Sequence, residues 1–72
     1  MNNKELEFSV FCIENVAEFL ALKGDAVYKL LTEQSNILDN YIIPCFDVLH
    51  TQGKEYIVHD IIDVMREKGL AV

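Results

Sequence analysis

Between Asn3 and Leu22 apolar side chains recur at helical spacing over so wide an arc that only a narrow edge is left for water. At about 100° per residue, Leu6, Val10, Ile13, Ala17 and Leu20 fall on one stripe, with Val16 beside them. Phe8, Cys12 and Phe19 form a second stripe next to the first, and Glu7, Glu14 and Glu18 share the opposite edge. The combined arc of roughly 200° is about double the stripe that a surface helix needs. In a chain of 72 residues, such a helix is either the central one or lends a face to another chain.

Length sharpens that choice. A chain this short forms one domain, residues 1–72, and buries only about 60% of its unfolded surface, so its core is marginal without a disulfide, a metal or a partner. Apolar content of 51% argues against disorder, which combines high charge with low hydrophobicity. The two cysteines, Cys12 and Cys45, lie within apolar stripes, where a free thiol behaves as a small hydrophobe. The opening residues, MNNKELEF, are acidic where a signal peptide is basic, and the uninterrupted apolar run Val10–Ile13 is far shorter than the ~20 residues of a membrane span. The expected compartment is the cytoplasm, where disulfides are rare.

Charge narrows the partners. Twelve acids oppose six bases, for a net charge of -6. Lys4, Lys23, Lys29, Lys54, Arg66 and Lys68 are scattered rather than clustered, which disfavours nucleic acid. A basic protein surface is the better complement, since opposite potentials steer encounter.

The rest of the chain reads as three more helices. Gly24 suits the left-handed position that ends the first, and a second helix follows over Asp25–Gln34, with Val27, Leu30 and Leu31 as its stripe and Tyr28 widening it. Ser35-Asn36 stops it. A third helix is expected over Ile37–Thr51, with Leu38, Tyr41, Ile42, Cys45, Val48 and Leu49 on one face. Pro44 loses the bond to the Asn40 carbonyl at a cost of about 3 kcal/mol. The apolar pattern continues in phase across it, which predicts a kink; the alternative is a helix that begins at Ile43 with Pro44 in its first turn. Gly53 ends this helix. Tyr56–Val58 suits either an extended or a helical path, and a fourth helix then runs to Lys68, with Asp60 as N-cap, Gly69 at C′ and Leu70 placed to touch Met65. The expected fold is all-α, a small bundle of about four helices.

Catalytic patterns are thin. His59 with Asp63, and Asp47 with His50, are neighbours on helices, but neither pair has a third ligand at zinc spacing. Cys45 and His50 lie about 140° apart around their helix and cannot pair. No enzyme activity, metal or cofactor is expected. His50-Thr51-Gln52-Gly53 reads first as a helix end satisfying its own carbonyls, and second as a recognition patch. Tyr28, Tyr41 and Tyr56 suit interface anchors, or half-buried positions at the edge of the core. The candidate partner-binding residues are Phe8, Phe11, Phe19, Tyr41, His50, Gln52 and Tyr56. A helix-turn-helix reading fits the short turn between the second and third helices, but the third carries no Lys or Arg.

The stretches ELEFSVFCIE at Glu5–Glu14, VYKLL at Val27–Leu31 and LDNYIIPCFDVLHTQGKEYIVHDI at Leu38–Ile61 resemble a family of small bacterial proteins, domain of unknown function thirty-seven ninety-one. Asn40, which lengthens the Leu-Asp-Tyr step, and Pro44, where members carry a polar residue, depart from its pattern. The resemblance implies a gene that, as is often so for members, lies beside one for an ADP-ribosyltransferase-like protein, in an arrangement similar to toxin–antitoxin pairs. The resemblance therefore implies an antitoxin-like partner of a basic ADP-ribosyltransferase-like protein. Together the two lines of reasoning lead to a non-enzymatic protein-interaction module. A small DNA-binding transcriptional regulator and a homodimeric structural domain are the alternatives.

Overall fold

Asn2 opens the first helix in a computed structural model that describes residues Met1–Val72. Its side chain accepts from the Glu5 N–H at 2.8 Å, and the Glu5 carboxylate accepts from the Asn2 N–H at 3.0 Å. This reciprocal box satisfies two of the donors that a helix start leaves orphaned. Helix α1 then runs Asn3–Leu20, α2 Gly24–Thr32, a π-helical turn spans Leu38–Ile42, α3 is Phe46–Leu49 and α4 Lys54–Glu67. The chain is all-helical, as expected, and carries no strand. It has five helical elements rather than about four, because the third expected helix divides in two.

Helix α1 is central, packing against both α2 and α4. Phe8, Cys12, Val16 and Ala17 contribute its buried face, and Val27, Leu31, Ile37, Ile42, Ile61, Ile62 and Met65 close over them. The accessible surface is 4620 Å², against about 4,600 Å² for a globular monomer of this mass. The Cα radius of gyration is 10.9 Å, close to the ~11 Å expected for this length. Side chains left in solvent are therefore not the result of loose packing.

The end of α1 differs from expectation. Ala21, not Gly24, takes the left-handed conformation, with φ 58°. Its N–H and that of Leu22 return to the Ala17 carbonyl, the latter at 2.9 Å, and close the helix. Gly24 is already the first residue of α2, beside Ile13, so the chain reverses within three residues and needs its tight turn earlier. An L-residue in this conformation is strained by about 1–2 kcal/mol where glycine is not. Ala21→Gly is expected to stabilise the fold by about 1 kcal/mol, raising Tm by roughly 4–8 °C in a thermal melt. Gly24→Ala is expected to be neutral or mildly stabilising, since its Cβ would sit 3.9 Å from the Ile13 side chain, an ordinary contact.

Around Pro44 the chain does more than kink. The Ile43 N–H reaches back five residues to the Leu38 carbonyl at 3.0 Å, and this widened turn accommodates the proline ring that would clash with the Asn40 carbonyl. Three turn residues follow before regular helix resumes at Phe46, later than the alternative start at Ile43. The extended option for Tyr56–Val58 is also overturned. Helix α4 starts at Lys54, with Gly53 as its extended N-cap, so Asp60 is a mid-helix residue and not a cap. Asp60 instead accepts a hydrogen bond from the Tyr41 hydroxyl, tying the π-helical turn to α4 across 19 positions of sequence. The far end matches expectation: Gly69 has φ 86°, and the Leu70 N–H bonds the Met65 carbonyl at 3.0 Å. No helix is long and apolar enough to cross a membrane.

Both thiols are free. Burial pushes the Cys12 thiol up from 9.0 to about 12. The hydrogen bond to Asp60, followed by burial, also raises Tyr41 above its ordinary value. A raised value in the folded state means that the neutral form is the one the fold holds. Its contribution is complete below the unfolded value and lost as pH climbs to the folded one. Stability is thus expected to fall between about pH 9 and 12, and Tyr41→Phe is expected to flatten the part of this fall above pH ~10. At pH 8 a thiol reagent should titrate Cys45 alone in the native protein and both cysteines in denaturant; rapid native labelling of Cys12 would contradict its burial.

Candidate protein-interaction surface

Around α1 the acids form a crest. Glu7, Glu14 and Glu18 fall within a narrow arc, with Leu6 and Val10 on one flank and Phe11 and Phe19 on the other. These four apolar side chains are exposed: Leu6 by 52%, Val10 by 44%, Phe11 by 37% and Phe19 by 55%. The half of the main stripe nearer the C-terminus, Ile13, Ala17 and Leu20, is buried or half-buried, whereas Leu6 and Val10 at its start are not. The expected central role of α1 is thus met, and part of its apolar arc stays exposed. It is the core helix, and it keeps two apolar flanks uncovered.

The Phe11–Phe19 flank is an organised edge. Phe11 stacks on Phe8 with ring centroids 6.3 Å apart, and Phe8 meets Phe46 edge-to-face at 5.4 Å. Phe46 in turn stacks on His50 at 4.4 Å, with 9° between the rings. His50 Nδ1 lies 2.6 Å from the Phe46 carbonyl oxygen. A carbonyl can only accept, so Nδ1 carries the proton and the ring is held in place. A row of four aromatic rings thus joins α1 to α3. Further along, Phe19 meets His59 of α4 edge-to-face at 5.0 Å.

Beside Phe19 a groove of about 390 Å³ opens between α1 and α4. Asn15, Glu18 and Phe19 form one wall; Lys54, Glu55, Val58 and His59 form the other. The Asn15 amide donates to the Phe11 carbonyl at 2.7 Å, which leaves its Oδ1 as an unused acceptor.

The candidate residues separate into three groups. Phe11 and Phe19 share the uncovered edge of α1, and His50 joins it through Phe46. Phe8 lies in the core and underpins the edge without presenting itself. Tyr41 is half-buried and occupied by Asp60, while Gln52 and Tyr56 are exposed and separate from the aromatic row. His50 and Thr51 also satisfy their own helix end, since the Thr51 hydroxyl donates to the Val48 carbonyl at 2.7 Å. Phe46 and His59 were not among the candidates. Phe46 and His50 are a four-residue step, but the contact of Phe46 with Phe8 depends on how α3 packs on α1. The link of His59 to Phe19 depends on how α4 packs. The spacing Phe11, Asn15, Phe19, two steps of four, is the signal that could have shown this edge in the sequence.

A family model described as protein of unknown function (DUF3791) matches residues 7–68. No curated protein and no solved structure matches the chain.

Proposed function

We propose that this chain, which belongs to the DUF3791 family of proteins of unknown function, is a non-enzymatic protein-interaction module that uses the outer edge of α1 to bind a protein partner. One observation carries the reading. Leu6, Val10, Phe11 and Phe19 remain in solvent on a helix whose opposite face already completes the core, in a fold of ordinary surface area for its mass. Apolar groups that neither fold nor shelter themselves gain only from a second surface.

The acid crest between the flanks gives that partner a sign. A basic surface is attracted to it, whereas a second copy of this chain brings Glu7, Glu14 and Glu18 against acids of its own. The family resemblance implies an antitoxin-like role beside an ADP-ribosyltransferase-like protein, and the acid crest suits a module that covers a basic surface of such a protein. Affinity capture with the full chain, run beside a Phe11→Ser/Phe19→Ser variant, tests the module: a protein retained by the first and lost by the second is expected. Equal recovery on both would overturn the reading. The homodimeric alternative draws on the same exposed flanks. It requires a melting temperature that falls on hundredfold dilution; one that stays fixed removes it.

A further inference from the structure

We propose that the groove between α1 and α4 receives an arginine side chain from a segment of the protein partner that lies along Phe11 and Phe19. This inference rests on the interaction-module reading and adds to it the chemistry of the contact.

The groove is rich in acceptors. Glu18 and Glu55 bring carboxylates from the two helices, Asn15 has a free amide oxygen and His59 a ring nitrogen, with Lys54 the only cation. Even with Lys54 counted, the lining is acidic by one charge, on a chain of net charge -6. A guanidinium presents five donors in a rigid plane, which suits several acceptors spread over two walls better than the single point of an ammonium. Phe19, 55% exposed, supplies an aromatic surface for that plane or for the methylene stem. Val58 completes the apolar side.

A whole segment is needed rather than a free small molecule. Phe11 lies eight residues from Phe19, about 12 Å along the helix, and is uncovered by anything that fills the groove alone. A strand or helix running along α1 covers both rings while its arginine reaches between the helices. A membrane is the poorer occupant, because the acid crest beside these rings repels anionic headgroups.

The test uses the full chain and a fluorescent amphipathic peptide with leucines on one helical face and arginines at its border. Two counterparts carry citrulline, which keeps the shape and loses the charge, or lysine in place of arginine. The arginine peptide is expected to bind, the citrulline one about tenfold more weakly, and the lysine one in between. Glu18→Gln/Glu55→Gln is expected to weaken the arginine peptide about tenfold. Glu33→Gln/Glu67→Gln removes the same charge outside the groove and should change binding less than about twofold. Amide resonances of Asn15, Phe19 and His59 should shift on binding. Equal losses in the two double variants, equal affinity for citrulline, or no binding of the arginine peptide would each overturn the proposal. A cellular partner retained equally by Glu18→Gln/Glu55→Gln but lost by Phe11→Ser/Phe19→Ser would sink the groove and leave the module standing. Failure of both variants to alter capture would remove both.

Discussion

Ile61→Ala is expected to remove a large share of the fold's stability. Ile61 is wholly buried in α4 among the side chains that close over α1. Removing a buried isoleucine to alanine costs about 2–5 kcal/mol, part from lost transfer and part from the cavity left behind. A chain of 72 residues has only about 4–11 kcal/mol to lose. At roughly 4–8 °C per kcal/mol, the melting temperature should fall by about 8–40 °C. Val48→Ala, at a residue 67% exposed on α3, is the matched control and should stay within about 0.5 kcal/mol. Urea titration of both variants reads the difference. A cost below about 1 kcal/mol for Ile61→Ala would mean that α4 is not docked on α1 as described.

The second large effect is the opposite in kind. Phe11→Ser/Phe19→Ser should leave the protein folded, with a loss of about 1–2 kcal/mol from the contacts with Phe8 and His59. Partner binding should collapse by a hundredfold or more, because aromatic anchors at the centre of an interface carry about 2 kcal/mol or more each. Circular dichroism establishes the first half and capture or titration the second. A core substitution abolishes fold and binding together, whereas this pair separates them. If unfolding accompanies the loss, the two rings belong to the core and not to an interface.

How far the sequence carried these conclusions depended on how local the physics was. Period and punctuation within one helix were legible: the width of the α1 arc and the Gly69–Leu70 closure of α4 follow from short-range spacing. Choices between neighbouring stops were less so. Gly53, expected to end the third helix, is the N-cap of α4, and α3 ends at Leu49. Gly24 is the better left-handed residue, but Ala21 takes the position because α2 must turn back to place Gly24 beside Ile13, a tertiary demand that outweighs local strain. Asp60 looked like a cap and is instead the acceptor for Tyr41, a pairing 19 residues apart that no window of helical period contains. The same limit applied to the surface. The expected stripe grouped Phe19 with Phe8 and Cys12, which the core buries, so the edge that Phe19 shares with Phe11 emerged from the packing. The groove beside Phe19 needed α4, and the stacking of His50 on the row needed Phe46.

Fluorine NMR of the free, dilute chain labelled with 4-fluorophenylalanine at its four phenylalanines gives the most direct reading of whether α1 carries uncovered apolar surface. The shift between H₂O and D₂O measures water at each ring. Phe11 and Phe19 are expected to show a large solvent shift and Phe8 a small one. Phe11 and Phe19 as insensitive to solvent as Phe8, in a sample that sediments as a monomer, would contradict the account.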